Sequence, residues 1–179
     1  MQQRHYQELI DIFSACFGNT ESTLLVAGKD EPFYQPAAQG ERFHRVVFGH
    51  GFYASALHEV SHWCIAGKVR RLIFDYGYWY RPDGRSAVEQ AAFEQVERKP
   101  QALEWLFSLC ADVPFRVSVD NLSGIEVDRA AFANAVKAQL LDYYDRQLPV
   151  RAECFARALC DFYHTRWPVR EQILELVTD

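Results

Sequence analysis

Between Arg45 and Lys68 the chain carries only one fully charged residue, Glu59. A segment this apolar belongs in an interior, where an unpaired carboxylate costs about several kcal/mol or changes its protonation state. Glu59 stands beside His58 and three residues before His62. Any fold of this chain must therefore bury a helix-length stretch and still house a carboxylate and two imidazoles at its centre.

The pattern is His58-Glu59-x-x-His62. On a helix, residues four apart share a face, so both imidazoles can reach one metal ion. Glu59 can lean over the same ion as a catalytic base or hydrogen-bond a metal-bound water. The helix is expected from about Phe52 to Ala66, with Gly67 as its stop.

Two histidines require a third ligand. Lys68 stands where a metzincin-like spacing would put a third histidine. A better source is the stretch "SAVEQAAFEQVERKP", in which Gln90, Glu94 and Glu97 share one helical face. Glu97 and Glu94 are the candidates, while Phe93 and Val96 can pack the helix down. His44 and His50 are weaker, because the glycines around His50 fix no direction for it.

The rest reads as α+β: one helix-rich domain over residues 1–179, with a small sheet and the His-Glu helix at its centre. Helices are expected over 3–17, 86–98, 100–111 (Pro100 in its first turn), 128–147 and 151–164. Strands are expected at "TLLVAG", "HRVVFGHG" and "VRRLIFDYGYWY", with a short one at "FRVSVD". "KDEPFYQPAAQGERF" reads as a loop and "RPDGR" as a turn.

With 49% hydrophobic residues the chain can build a substantial core. Its net charge of −5 argues against binding nucleic acid through bulk charge. It has no run of about 18 apolar residues to span a membrane, and its N-terminus lacks a signal-peptide pattern. The five cysteines form no CxxC pair and suit reduced thiols in the cytoplasm.

Three blocks, "HGFYASALHEVSHWCIAGK", "DYGYWYRPDGR" and "FEQVERKPQALEW", closely resemble the bacterial elongation factor P hydroxylases. The similarity runs over roughly residues 5–165. It implies hydroxylation of the modified lysine of elongation factor P, after another enzyme has attached a β-lysyl group. It also implies a metal held by a histidine pair and a glutamate. Carried onto this chain, these are His58 and His62, with Glu97 as the carboxylate and Glu94 behind it. Two histidines and one carboxylate leave positions open for dioxygen and substrate in non-haem Fe(II) enzymes, so Fe(II) is the expected metal and dioxygen the co-substrate. The HxD arrangement of jelly-roll oxygenases is not visible, and 2-oxoglutarate is not assumed.

Lys68, Arg70, Arg71, Arg81, Arg85, Arg98 and Lys99 flank the motif in a chain that is acidic overall. Clustered in space, they would form a rim that steers an acidic partner. Tyr76, Tyr78, Trp79 and Tyr80 could line a channel for a cationic lysine side chain. Arg70, Arg71, Tyr78, Arg98 and Lys99 are the residues expected to meet the substrate. Two other readings of the motif are a zinc metallopeptidase, with Glu59 activating water, and a binding module with a structural metal.

Overall fold

The computed structural model describes residues 4–76, 83–119 and 126–177. Helix α1 (Tyr6–Phe17) opens on a capping box: the His5 ring accepts from the Gln7 amide, and Glu8 accepts from the His5 amide. Its buried stripe is Leu9, Ile12, Phe13 and Phe17. Three strands follow: β1 (Thr23–Ala27), β2 (Phe33–Gln35) and β3 (His44–Phe48). They lie in the order β1-β3-β2, with β1 parallel and β2 antiparallel to β3. The sheet is therefore mixed, and α+β is the architecture observed.

Strand β2 falls inside the stretch expected to be a loop. Pro32 and Pro36 bracket it. Proline cannot donate to a ladder, which suits a short strand at the edge of a sheet. Over its described part, residues 69–76, the expected strand at 69–80 is not one. Arg70–Leu72 form a 3-10 turn, and only Asp75 pairs with the sheet, through an isolated bridge to Tyr34. Residues 77–80 of that stretch lie outside the described residues. Its apolar side chains do not alternate with polar ones in the register a half-buried strand needs.

The His-Glu helix is α2 (Tyr53–Ile65), close to its expected bounds. Gly51, at φ +65°, makes the tight turn that starts it. Its C-terminus does not depend on Gly67, which has no neighbour a side chain would meet. Instead the Arg151 guanidinium donates to the carbonyls of Trp63, Cys64 and Ala66, at 3.0, 3.0 and 2.6 Å. A cation at a helix C-terminus satisfies orphan carbonyls and meets the negative end of the dipole. The same guanidinium lies 4.7 Å from the centre of the Trp63 ring.

The helices expected at 86–98 and 100–111 are one, α3 (Ala87–Ala111), which runs through Pro100. It begins with a capping box between Ser86 and Glu89. An interior proline removes a donor and costs about 3 kcal/mol. The offset is the burial of nearly every residue from Pro100 to Ala111. The expected strand at 115–120 has no ladder over its described residues, 115–119. Residues 113–119 are tied to α3 by Gln101, whose side-chain amide donates to the Ser118 carbonyl and accepts from the Ser118 amide, at 2.9 and 3.0 Å. A side chain thus makes the bonds a neighbouring strand would make. Helices α4 (Arg129–Asp145) and α5 (Val150–Tyr163) match their expected spans, and α6 (Arg170–Glu175) closes the described chain.

The core gathers α1, α2, α3 and α5 around Phe13, Phe17, Trp63, Phe107 and Phe155, with neighbouring ring centres 4.8–6.5 Å apart. Trp63 and Leu57 belong to the buried face of α2, and this packing leaves His58 and His62 on the side that looks away from the core. Leu57 is fully buried. Leu57→Ala is expected to destabilise the fold by about 2–5 kcal/mol in urea denaturation, the usual loss for a buried leucine truncated to alanine. A loss below about 1 kcal/mol would show that this face of α2 is not packed as described.

Candidate metal centre

One wall of an open cleft of about 1600 Å³ is formed by α2 and the middle of α3. Four titratable side chains meet there. His58 and His62, one turn apart on α2, bring their Nε2 atoms to 3.1 Å. Glu97, buried on α3, places one carboxylate oxygen 3.5 Å from His58 Nε2 and the other 3.3 Å from His62 Nε2. Behind them, His58 Nδ1 lies 2.8 Å from a carboxylate oxygen of Glu104.

This set suits a cation. Metal–ligand bonds of about 2.1 Å put ligand atoms about 3.0 Å apart at right angles and about 3.4 Å apart at the tetrahedral angle. The three measured spacings, 3.1, 3.3 and 3.5 Å, are of that size. Among the described residues, His58, His62 and Glu97 form the one group of three or more His, Cys, Asp or Glu side chains arranged to hold a metal. With Nδ1–H of His58 donated to Glu104, the Nε2 lone pair is left for the point where the three groups meet. A carboxylate behind a metal-binding histidine fixes its tautomer and ring orientation in this way.

Electrostatics lead to the same conclusion. Burial alone would lower the His58 pKa, but the carboxylates of Glu104, Glu97 and Glu59 outweigh it and raise it to about 10. Burial would likewise raise Glu97, yet His62, His58 and the Gln101 amide hold it down at about 2. The pocket therefore keeps a positive charge between its carboxylates. In the absence of metal, that charge is a proton.

Glu59 lines the cleft beside this group. Burial pushes its pKa up, and the two histidines only partly oppose that, since Glu97 and Glu104 repel a further negative charge. Glu94 is one turn from Glu97 and accepts from the Gln90 amide at 3.0 Å. It is Glu97, then, that faces both imidazoles. His44 and His50 are elsewhere: His44 accepts from the Ala37 amide in the sheet region, and His50 sits exposed in the turn before α2.

Arg70, Arg71, Arg98 and Lys99 line the cleft. Two of them are already engaged, Arg70 with Asp75 and Arg71 with Glu21. Arg85, read as a flanking cation, is buried. It donates to the Gln90 side chain and the Val119 carbonyl and stacks on Phe93 at 4.0 Å, so it braces residues 113–119. Lys68 is exposed beyond the end of α2. Tyr78, Trp79, Tyr80 and Arg81 lie outside the described residues.

Sequence reasoning missed Glu104 and Gln101. Their signal was present, since Glu104 follows Glu97 by seven residues, two turns along one face. Splitting the stretch into separate helices at 86–98 and 100–111 broke that register.

Metal binding here must displace the His58 proton. Apparent affinity for Co2+ is therefore expected to climb between pH 6.5 and 9, by up to about tenfold per pH unit, in titration calorimetry. An affinity flat across that range would mean His58 is not a ligand. The sign for the metal-free protein is opposite. A histidine raised to about 10 adds stability that is complete below about pH 6.5 and lost as pH rises toward 10. Glu97, lowered to about 2, adds stability that is present above about pH 4.5 and lost as pH falls toward 2.

Comparison with known proteins agrees with this geometry. Residues 12–173 match the model of the family described as elongation factor P hydroxylase. A protein named elongation factor P lysine hydroxylase, from Haemophilus influenzae, is 47% identical over 159 residues, which cover 89% of each chain. The match takes in the whole of α2 and α3, and so every residue of the His58–His62–Glu97–Glu104 cluster. The chain belongs to the elongation factor P hydroxylase family.

Proposed function

We propose that this protein hydroxylates the β-lysyl-modified lysine of translation elongation factor P, using a divalent metal held by His58, His62 and Glu97, with Fe(II) the metal that fits the chemistry. The observation that carries this reading is the meeting of those three side chains, in a chain of this family, at spacings a metal would need. Family membership favours the hydroxylase over the zinc peptidase that the HExxH spacing alone suggests. The bound metal would supply dioxygen activation, which a protein side chain cannot perform. In the overall balance, one oxygen atom enters a C–H bond and the other leaves as water, with two electrons from a reductant and two protons.

The remaining roles belong to the chain. Glu104 accepts from His58 Nδ1 and keeps its Nε2 turned toward Glu97. Gln101 donates to Glu97 at 3.5 Å and anchors residues 113–119 against α3. Glu59, facing the cleft with a raised pKa, is the group placed to hold or deliver a proton beside the reacting centre. The cleft is open enough to admit a long side chain presented by another protein. Arg70, Arg71, Arg98 and Lys99 on its walls suit an acidic partner, with Tyr78 as a further substrate contact from the sequence reading.

The test is intact-mass analysis of β-lysyl-modified elongation factor P after incubation with the iron-loaded protein and a reductant. A gain of one oxygen atom is expected, and no gain with full metal occupancy would overturn the reading. His58→Ala, His62→Ala and Glu97→Ala are each expected to abolish metal retention by elemental analysis. Glu94→Ala should retain metal. Glu104→Gln should weaken metal affinity by about 10–100-fold, the usual effect of removing a carboxylate behind a ligand. A Glu97→Ala protein that holds metal as tightly as the parent would exclude Glu97 as a ligand.

A further inference from the structure

The segment from Val69 to Tyr76 inverts the usual pattern of a surface loop. Its polar and backbone groups are tied down. Arg70 pairs with Asp75, and Arg71 pairs with Glu21 at 2.7 Å. The Tyr34 hydroxyl donates to the Arg71 carbonyl at 2.9 Å. The Tyr34 and Asp75 backbones exchange two hydrogen bonds, at 2.7 and 3.0 Å. Its apolar side chains point outward: Val69 is 79% exposed, Leu72 70%, Ile73 56% and Tyr76 67%.

At its C-terminal end the segment joins an aromatic cluster. Phe74 stacks on Phe33 with ring centres 5.4 Å apart, and Tyr76 meets Phe74 at 4.7 Å. A monomer rarely displays so many large apolar groups together unless something binds them. The 3-10 turn and the bridge to β2 hold the segment in place, so the side chains cannot simply fold back onto the core.

The location identifies the occupant. Phe33, Arg70, Arg71, Asp75 and Tyr76 line the same cleft as His58, His62 and Glu97. A protein that inserts one side chain into that cleft lays the surface from which it grows onto the rim. We infer that the Val69–Tyr76 ledge is the docking surface for elongation factor P itself, receiving an apolar patch of the factor next to its modified lysine. The inference rests on the function proposed above. It adds that apolar contact on this ledge, more than the cations beside it, sets affinity for the whole factor, because Arg70 and Arg71 already hold internal carboxylates.

The test uses the full-length, metal-loaded protein and β-lysyl-modified elongation factor P. Binding is measured by titration calorimetry for the parent and for Leu72→Ser combined with Ile73→Ser. Both side chains are exposed, so metal content and melting temperature should match the parent. Val69→Ser combined with Leu72→Ser serves if the first pair fails to fold. The double variant is expected to bind the factor about tenfold or more weakly, the scale of losing two central apolar contacts. Parent-like affinity in a folded, metal-loaded variant would overturn the docking surface. So would sedimentation showing that the parent is a dimer and the variant a monomer, since the ledge would then be covered by a second copy. If the parent binds the factor but adds no oxygen and the variant loses binding, the proposed function falls while the docking surface stands.

Discussion

Everything at this site depends on three lone-pair groups aimed at one point. The Nε2 atoms of His58 and His62 and the Glu97 carboxylate lie 3.1–3.5 Å from one another, on the wall of an otherwise well-packed fold. Groups this close repel unless a positive charge sits among them. A second proton on His58, at Nε2, meets that need in part, while the Glu104 carboxylate holds the first one on Nδ1. A divalent cation meets it more fully, since it can accept a lone pair from all three groups at once.

The scaffold can be understood as the means of keeping those groups together. The apolar face of α2 is anchored by Leu57 and Trp63, and its C-terminus by Arg151. That leaves its histidine face with little freedom to rotate. Helix α3 runs unbroken through Pro100, which puts Glu97, Gln101 and Glu104 on one line along its length. Arg85 and Gln101 then fasten residues 113–119 against the same helix. Sites on helices locked by packing hold their geometry better than sites on loops. Loop material also contributes to the cleft, through Arg70, Arg71, Asp75 and Tyr76.

Much of this was legible in the sequence, and the gaps have physical causes. His58 and His62 follow from helical periodicity, because a charge in an apolar helix needs a reason. The same periodicity narrows the third ligand to Glu94 and Glu97, on the face shared with Gln90, and the family resemblance rather than the spacing favours Glu97. Glu104 was not legible, because proline at position 100 is normally a first-turn residue, and only tertiary burial of 101–111 carries the helix across it. The described part of the strand expected at 69–80, residues 69–76, failed for the opposite reason. β-branched and aromatic residues favour strands mainly by packing on a covered surface, and here Val69, Leu72 and Ile73 are uncovered. Strand β2 was hidden because two prolines in five residues look like a loop, although they also suit a sheet edge. Arg85 looked like a surface cation in the sequence. Its burial depends on Val119 and Gln90, partners 34 and 5 residues away.

The most direct test of the central claim is a crystal of the metal-loaded protein, measured at the absorption edge of the metal. The account predicts one strong anomalous peak at about 2.0–2.3 Å from His58 Nε2, His62 Nε2 and a carboxylate oxygen of Glu97. His58 Nδ1 should stay bonded to Glu104. A peak ligated by Glu59 or Glu94 in place of Glu97, or no peak between the two histidines at full metal loading, would contradict it.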